Sequence, residues 1–263
     1  MHASALTQPH VAGASVPKLA MFDVDYTLLR PNGMFYAHGY KAAGERFGLQ
    51  LDVERWREAE RAAYMAVKER RQRFCLAHDS GVYEAIALAV ITAMGGGDPE
   101  TVRRCAASVI VEWARVQNFT LYDDVTPCLE RLHAAGLKIA LVSNTNRDLA
   151  EVLAHFRLAP LVDAAVTSVE VGEFKPSPKI YQAALDGAGV RASEAVMVGD
   201  SVEDDVHGAM ALGIAALLLD RAGKFGGDSG PDAGVPKIGS LAELPAALGL
   251  LLGYRPLARL CAG

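Results

Sequence analysis

Short apolar runs separated by helical periodicity organise this 263-residue chain. Five runs read as buried strands: Leu19–Phe22, Ile139–Val142, Ala164–Thr167, Ala195–Val198 and Ala215–Leu219. The last four alternate with amphipathic segments, the pattern of a parallel sheet covered by helices. Thr126-Pro127 opens one helix and Gly136 closes it, while Ser177-Pro178 opens another that ends near Gly187 and Gly189. From about Asn32 to Phe119 no run reads as a strand. Apolar positions recur there at three- and four-residue steps, as at Trp56, Ala59, Ala63 and Val67, and Gly95-Gly96-Gly97-Asp98-Pro99 divides the block. A helical block inserted after the first strand predicts a cap over the C-terminal ends of the strands, where open α/β sheets bind ligands. The expected organisation is an α/β core at 17–31 and 120–263, an all-helical cap at 32–119, and a flexible N-terminus at 1–16. The Gly-, Asp- and Pro-rich stretch from Gly223 to Pro236 reads as a surface loop.

Composition narrows the classes. The chain is 51% hydrophobic and 22% charged, ordinary values that leave ample material for a core. Its net charge of -5 speaks against a general nucleic-acid binder. The one basic run, Lys68-Glu69-Arg70-Arg71-Gln72-Arg73, reads as a solvated helix face, with steering of an anionic substrate as the lesser reading. Cys75, Cys105, Cys128 and Cys261 are scattered and lack zinc-ligand spacing, so free thiols in a reducing compartment are expected. Met1 to Val16 lacks a basic-then-apolar leader, and Leu244 to Leu252 is too short to span a bilayer. The expectation is a cytoplasmic protein with neither a membrane nor a nucleic-acid partner.

The chemistry is concentrated where strands end. Asp23 and Asp25 follow the first apolar run, two residues apart. Two carboxylates held close raise each other's pKa unless a cation or a retained proton relieves them. That arrangement suits a divalent metal, an acid/base pair, or both; the plain alternative is an Asp-rich turn. Ser143-Asn144 follows the second run, and Gly199-Asp200-Ser201 with Glu203, Asp204 and Asp205 follows the fourth. Gly172-Glu173-Phe174-Lys175-Pro176-Ser177-Pro178 lies between them. In a parallel sheet all of these strand ends share one edge.

Asp23-x-Asp25-x-Thr27-Leu28, Ser143-Asn144, Lys175-Pro176-x-Pro178 and Gly199-Asp200-Ser201 with Asp204-Asp205 agree in type, order and strand context with one family. The chain resembles the haloacid-dehalogenase-like (HAD) hydrolase superfamily over about Lys18 to Arg30 and Phe119 to Leu219. The resemblance implies a Rossmann-like parallel sheet core, a helical cap between the first and second motifs, and a Mg²⁺-dependent phosphatase acting on a small phosphorylated metabolite. Asp23 would be the nucleophile that forms an aspartyl-phosphate, and Asp25 the acid and then the base. Lys175 would offset the charge shared by Asp23 and the phosphate. The Ser143 hydroxyl and Asn144 backbone N–H would hold the phosphoryl group, with Thr27 beside them ordering the Asp loop. Mg²⁺ would bind the carboxylates of Asp23 and Asp200 and the Asp25 carbonyl. Asp204 or Asp205 would support that shell, with Asp205 preferred.

Asp25 favours phosphate esters over the family's dehalogenation, because halide leaves without a proton. A phosphomutase or haloacid dehalogenase on the same core is the alternative enzyme reading, and a non-catalytic binding module stands further off. Position 26 is Tyr where the family most often has Gly; its backbone would either be ordinary with the ring turned away, or its ring would narrow the entrance. Candidates for substrate contacts are Tyr36, His38, Tyr40, Arg46, His78 and Tyr83, which read more readily as ordinary helix-surface or packing residues, and Asn146 and Arg147, which lie nearer the expected phosphate.

Overall fold

The computed structural model describes residues 16–74, 79, 81–225 and 234–250. Cys75, His78, Cys261, residues 1–15 and loop positions 226–233 lie outside them. The central sheet is parallel throughout. Its strands are β1 (Leu19–Phe22), β4 (Lys138–Ser143), β5 (Ala164–Thr167), β6 (Ala195–Gly199), β7 (Ala215–Leu219) and β8 (Lys237–Ile238), in the order β5-β4-β1-β6-β7-β8. All five expected strands are present. β1 is paired on both edges, Phe22 aligning with Leu141 of β4 and with Val198 of β6. The chain runs outward from β1 through β4 to β5, then crosses to β6 on the other side. The strand order therefore reverses at β1, the place where open sheets leave a crevice.

Alternation explains the two cores. Leu19 and Met21 face one side of the sheet with Ala140, Val142 and Met197; Ala20 and Phe22 face the other with Ile139, Leu141 and Val198. Helix α8 (Pro178–Ala188) covers the first face through Ile180, Tyr181, Ala184 and Leu185. Ser177 caps its N-terminus by accepting from the Lys179 N–H, and Gly189 at φ +64 ends it. Helix α5 (Val125–Ala134) covers the second face through Cys128, Leu129 and Leu132. It begins one residue before the expected Thr126-Pro127, leaving Pro127 in the first turn.

Two strands escape the sequence pattern in the first half of the chain. β2 (Leu29–Pro31) and β3 (Phe119–Leu121) pair antiparallel, Pro31 opposite Phe119. Three residues each, they are too short for a readable alternation. They bring together the two ends of the long intervening segment. That segment holds α1 (Ala37–Glu45), α2 (Trp56–Phe74), α3 (Gly81–Ala93) and α4 (Pro99–Trp113). No described helix is long and apolar enough to cross a membrane.

Candidate active site

Asp23 leaves β1 with its N–H donated to the Val198 carbonyl at 3.0 Å, so its position is set by the sheet itself. The next turn is tight. The Val24 carbonyl accepts from both Leu28 and Leu29, and Tyr26 donates to the Leu29 carbonyl at 2.7 Å. Tyr26 sits at φ +61, a left-handed conformation unusual for a bulky residue. The ordinary backbone entertained for it is therefore not found; its ring is instead partly exposed and lines a cavity above the Asp loop.

The Lys175 ammonium is the centre of the charged floor. It is buried, and donates to Asp23 Oδ1 at 2.6 Å and Asp205 Oδ1 at 2.7 Å. Oxygen atoms of Asp23, Asp200 and Asp205 all lie within 4.8 Å of one another. Burial pushes the Asp23 carboxyl well above the usual range, opposed by Lys175 and reinforced by Asp205 and Asp200. Burial and then Asp205 push Asp200 up to about 7. Asp205 is likewise raised by burial against the pull of Lys175. Burial would favour a neutral Lys175, but Asp205 and Asp23 outweigh it and hold the ammonium charged.

Local structure fixes this group. Gly199 ends β6 where any Cβ would lie 2.1 Å from Asp205 Oδ2, so a side chain there would displace that carboxylate. Asp205 Oδ2 accepts from the Ser201 N–H at 3.0 Å, inside a π-helical turn at Val202–His207. The Asn144 carboxamide accepts from the Lys175 N–H at 2.6 Å and donates to the Lys175 carbonyl at 3.2 Å, clamping the lysine loop to the end of β4. Ser143 is buried at that strand end, and Thr27 is fully buried with a hydroxyl that meets no partner among the described residues.

The two candidate supporting acids are separated. Asp205 joins the buried floor, whereas Asp204 faces α2, where Arg71 grips both of its oxygens at 2.6 and 2.8 Å. The basic run is thus not simply a solvated face: Arg71 ties the helical segment to the core, and Arg70 pairs with Asp79. Arg147 is buried and binds Asp25 Oδ1 rather than standing open to a phosphate. Its guanidinium lies 4.1 Å from the Phe119 ring centre and 5.5 Å from that of Trp113. Asn146 is exposed.

A cavity of about 820 Å³ opens above Asp25, Asn144 and Asp200. Of the candidate contacts, Tyr36, Tyr40 and Tyr83 line it; His38 and Arg46 are exposed and do not. Trp56, Trp113 and Tyr122 also line it, and sequence reasoning gave them no such role. Helical spacing was a usable signal for part of this wall, since Trp56, Ala63 and Val67 face the cavity from one side of α2.

The sequence profile of the haloacid dehalogenase-like hydrolases matches residues 17–213. Ribulose-1,5-bisphosphate 5-phosphatase from Halopiger xanaduensis is 33% identical over 205 residues, 76% of this chain and 83% of that protein. Phosphoserine phosphatase from Thermus thermophilus is 37% identical over 127 residues, 48% of this chain and 50% of its own. The crystal structure of a HAD phosphatase from Thermococcus onnurineus superimposes with a TM-score of 0.59 at 26% identity, covering 88% of this chain and 98% of that one. The motifs at the strand ends and these matches agree: the chain belongs to the haloacid dehalogenase-like hydrolases.

Proposed function

We propose that this hydrolase is a Mg²⁺-dependent phosphatase in which Asp23 is the nucleophile, with residues 32–119 acting as a cap over the site. The observation that carries the reading is the Lys175 ammonium bound to Asp23 at the end of β1, beside Asp200 and Asp205 and below a cavity that Asp25 also lines. One ammonium is too little positive charge for three carboxylates held this close when they are ionised. That donor set fits a hard divalent cation better than it fits an empty apolar site. Asp23, Asp200 and the Asp25 carbonyl would hold Mg²⁺, with Asp205 supporting them. Bound there, the ion would offset charge on the phosphoryl oxygens.

The chain's own groups then divide the work. A carboxylate oxygen of Asp23 attacks phosphorus, and the bond from phosphorus to the ester oxygen breaks. Asp25 gives its proton to the leaving alkoxide. It then takes a proton from the water that attacks the aspartyl-phosphate, releasing inorganic phosphate and free Asp23. Arg147 holds Asp25 Oδ1, which fixes the orientation of that carboxyl. Ser143 and the Asn144 N–H serve the phosphoryl oxygens, Thr27 orders the Asp loop beside them, and Lys175 balances the shared charge. Asp25 is also what separates this reading from dehalogenation, where no leaving group needs a proton.

The test is hydrolysis of 4-nitrophenyl phosphate by wild type and Asp23→Asn, with Mg²⁺ and with chelator. Turnover should require the metal and fall by about 10³ or more in the variant, because an amide cannot form the acyl phosphate. Full metal-dependent turnover by Asp23→Asn would overturn the mechanism.

A further inference from the structure

The cavity above the proposed site is larger and more aromatic than a short sugar or amino-acid phosphate requires. Its volume of about 820 Å³ lies in the range of sites that take ring-containing or long-chain ligands. The wall is already assembled: the Trp56 ring lies 5.8 Å from Tyr40 and 6.4 Å from Tyr36, and Phe35 packs on Trp113 at 4.6 Å. Tyr26, Tyr36 and Tyr64 remain substantially exposed, at 44, 43 and 65%. Exposed aromatic rings grouped on a cavity mouth mark a binding surface for apolar matter.

The charges point the same way. A second phosphate or a carboxylate on the substrate would need cations on the wall. Arg221 lines the wall but already pairs with Asp124, and Arg71 and Arg147, which are not part of the lining, pair with Asp204 and Asp25. Glu60 and Asp220 add negative charge to the lining. Lys224 is the remaining lining cation among the described residues, and it is exposed to solvent. An anionic leaving group would therefore meet net repulsion, while a neutral ring would displace water from aromatic surface.

We infer that the substrate is the phosphate monoester of an uncharged, aromatic-ring-bearing alcohol, held with its phosphate on the charged floor and its ring against Tyr36, Tyr40 and Trp56. The inference rests on the phosphatase reading for its chemistry and on the cavity for its selectivity. Asp23 would displace the aromatic alcohol, whose alkoxide takes the Asp25 proton.

The experiment compares 2-phenylethyl phosphate, glycerol 3-phosphate and propane-1,3-diyl bisphosphate, all esters of alkyl alcohols, so leaving-group acidity does not decide the order. Binding of 2-phenylethylphosphonate and 2-hydroxyethylphosphonate, which cannot turn over, is measured by calorimetry. The aromatic ester should be preferred in kcat/KM by about 30-fold or more, and the aromatic phosphonate should bind at least about 10-fold tighter, the effect of burying one ring. Tyr36→Ala and Tyr64→Ala remove exposed rings. Together they should cut the preference several-fold, with a larger loss on the aromatic ester than on glycerol 3-phosphate. Equal or better use of the polar esters, or a preference untouched by both variants, overturns the inference while leaving the phosphatase intact. Turnover of none of the three esters would count against the phosphatase reading. The phosphonate comparison then still decides the selectivity, because equal binding of the two overturns it.

Discussion

The floor and the wall of this cavity are built by different rules. The floor comes from the ends of β1, β4 and β6 and from the loop that carries Lys175. Its members are buried, charged and held by backbone hydrogen bonds; Lys175 is 2% exposed. The wall comes mostly from helices α1 to α4, and its members are aromatic, partly exposed and held by ring packing. A buried charge tolerates little change in its partners, because the low local dielectric magnifies every mismatch. A ring on a partly wet surface tolerates much. In the proposed reading the chemistry is thus fixed on the sheet, while selectivity sits on a surface that can be altered residue by residue.

Lys175→Met is the change that breaks the floor most completely. It leaves Asp23 and Asp205 facing each other in the interior without their shared cation. Removing one partner from a buried ion pair costs about 3–5 kcal/mol. Urea unfolding should register that loss, and phosphate-ester turnover should fall to background. Excess divalent cation should return part of the stability, because it restores positive charge, yet not the turnover. A stability unchanged from wild type would mean that Lys175 does not balance the floor.

The same contrast governs what the sequence revealed. Asp23, Asp25, Ser143 and Asp200 each follow an apolar run and Lys175 directly precedes Pro176, so local pattern and strand order mark them as candidates. Asp205 and Asp204 are adjacent in sequence but face opposite neighbours, and only the π-helical turn and Arg71 separate them. Arg71 and Asp204 are 133 positions apart, and Arg147 and Asp25 are 122 apart. No local spacing encodes either pair. The wall draws on Tyr26, Tyr36, Trp56, Tyr83, Trp113 and Tyr122, spread along nearly a hundred residues, and helix packing alone brings them together. Helices α1 to α4 and the strands β2 and β3 show the same limit: helical periodicity is readable in the segment between the strands, but three-residue strands are not.

A second change acts where wall meets core. Asp124 accepts from Arg221 through both oxygens at 2.9 Å, and also from Ser240 and the Leu241 N–H. Arg221 in turn lies 3.9 Å from the Tyr122 ring centre and lines the cavity. Burial alone would raise the Asp124 carboxyl, but the bonds from Arg221, Ser240 and Leu241 hold it below its ordinary value. A folded-state pKa that is depressed contributes stability above the unfolded value and loses it as pH falls through the folded one. Asp124→Asn should therefore cost about 1–3 kcal/mol near neutral pH, the scale of charged hydrogen bonds. The gap from wild type should shrink as pH drops below about 4, the unfolded carboxyl value. A gap independent of pH from 7 to 3 would remove the charge from the argument.

The smallest effect on stability sits at the seam between the two regions, at Tyr26. Its left-handed backbone, φ +61, costs a non-glycine residue about 1 kcal/mol. Glycine would remove that strain but would gain about 0.5–1 kcal/mol of unfolded-state freedom in exchange. Tyr26→Gly should therefore shift stability by less than about 0.5 kcal/mol. Tyr26→Ala keeps the strain and loses the same ring, so it separates backbone from side chain. If the ring belongs to the wall, both variants should raise KM for the aromatic ester by a similar factor of about 3–10 with kcat little changed. If the backbone instead sets the floor, only Tyr26→Gly should alter kcat, because only glycine lets the loop between Asp23 and Thr27 relax. Parallel kinetics for the two variants would assign Tyr26 to the wall; divergent kcat values would assign it to the floor, and would show that the two regions are coupled through a single residue.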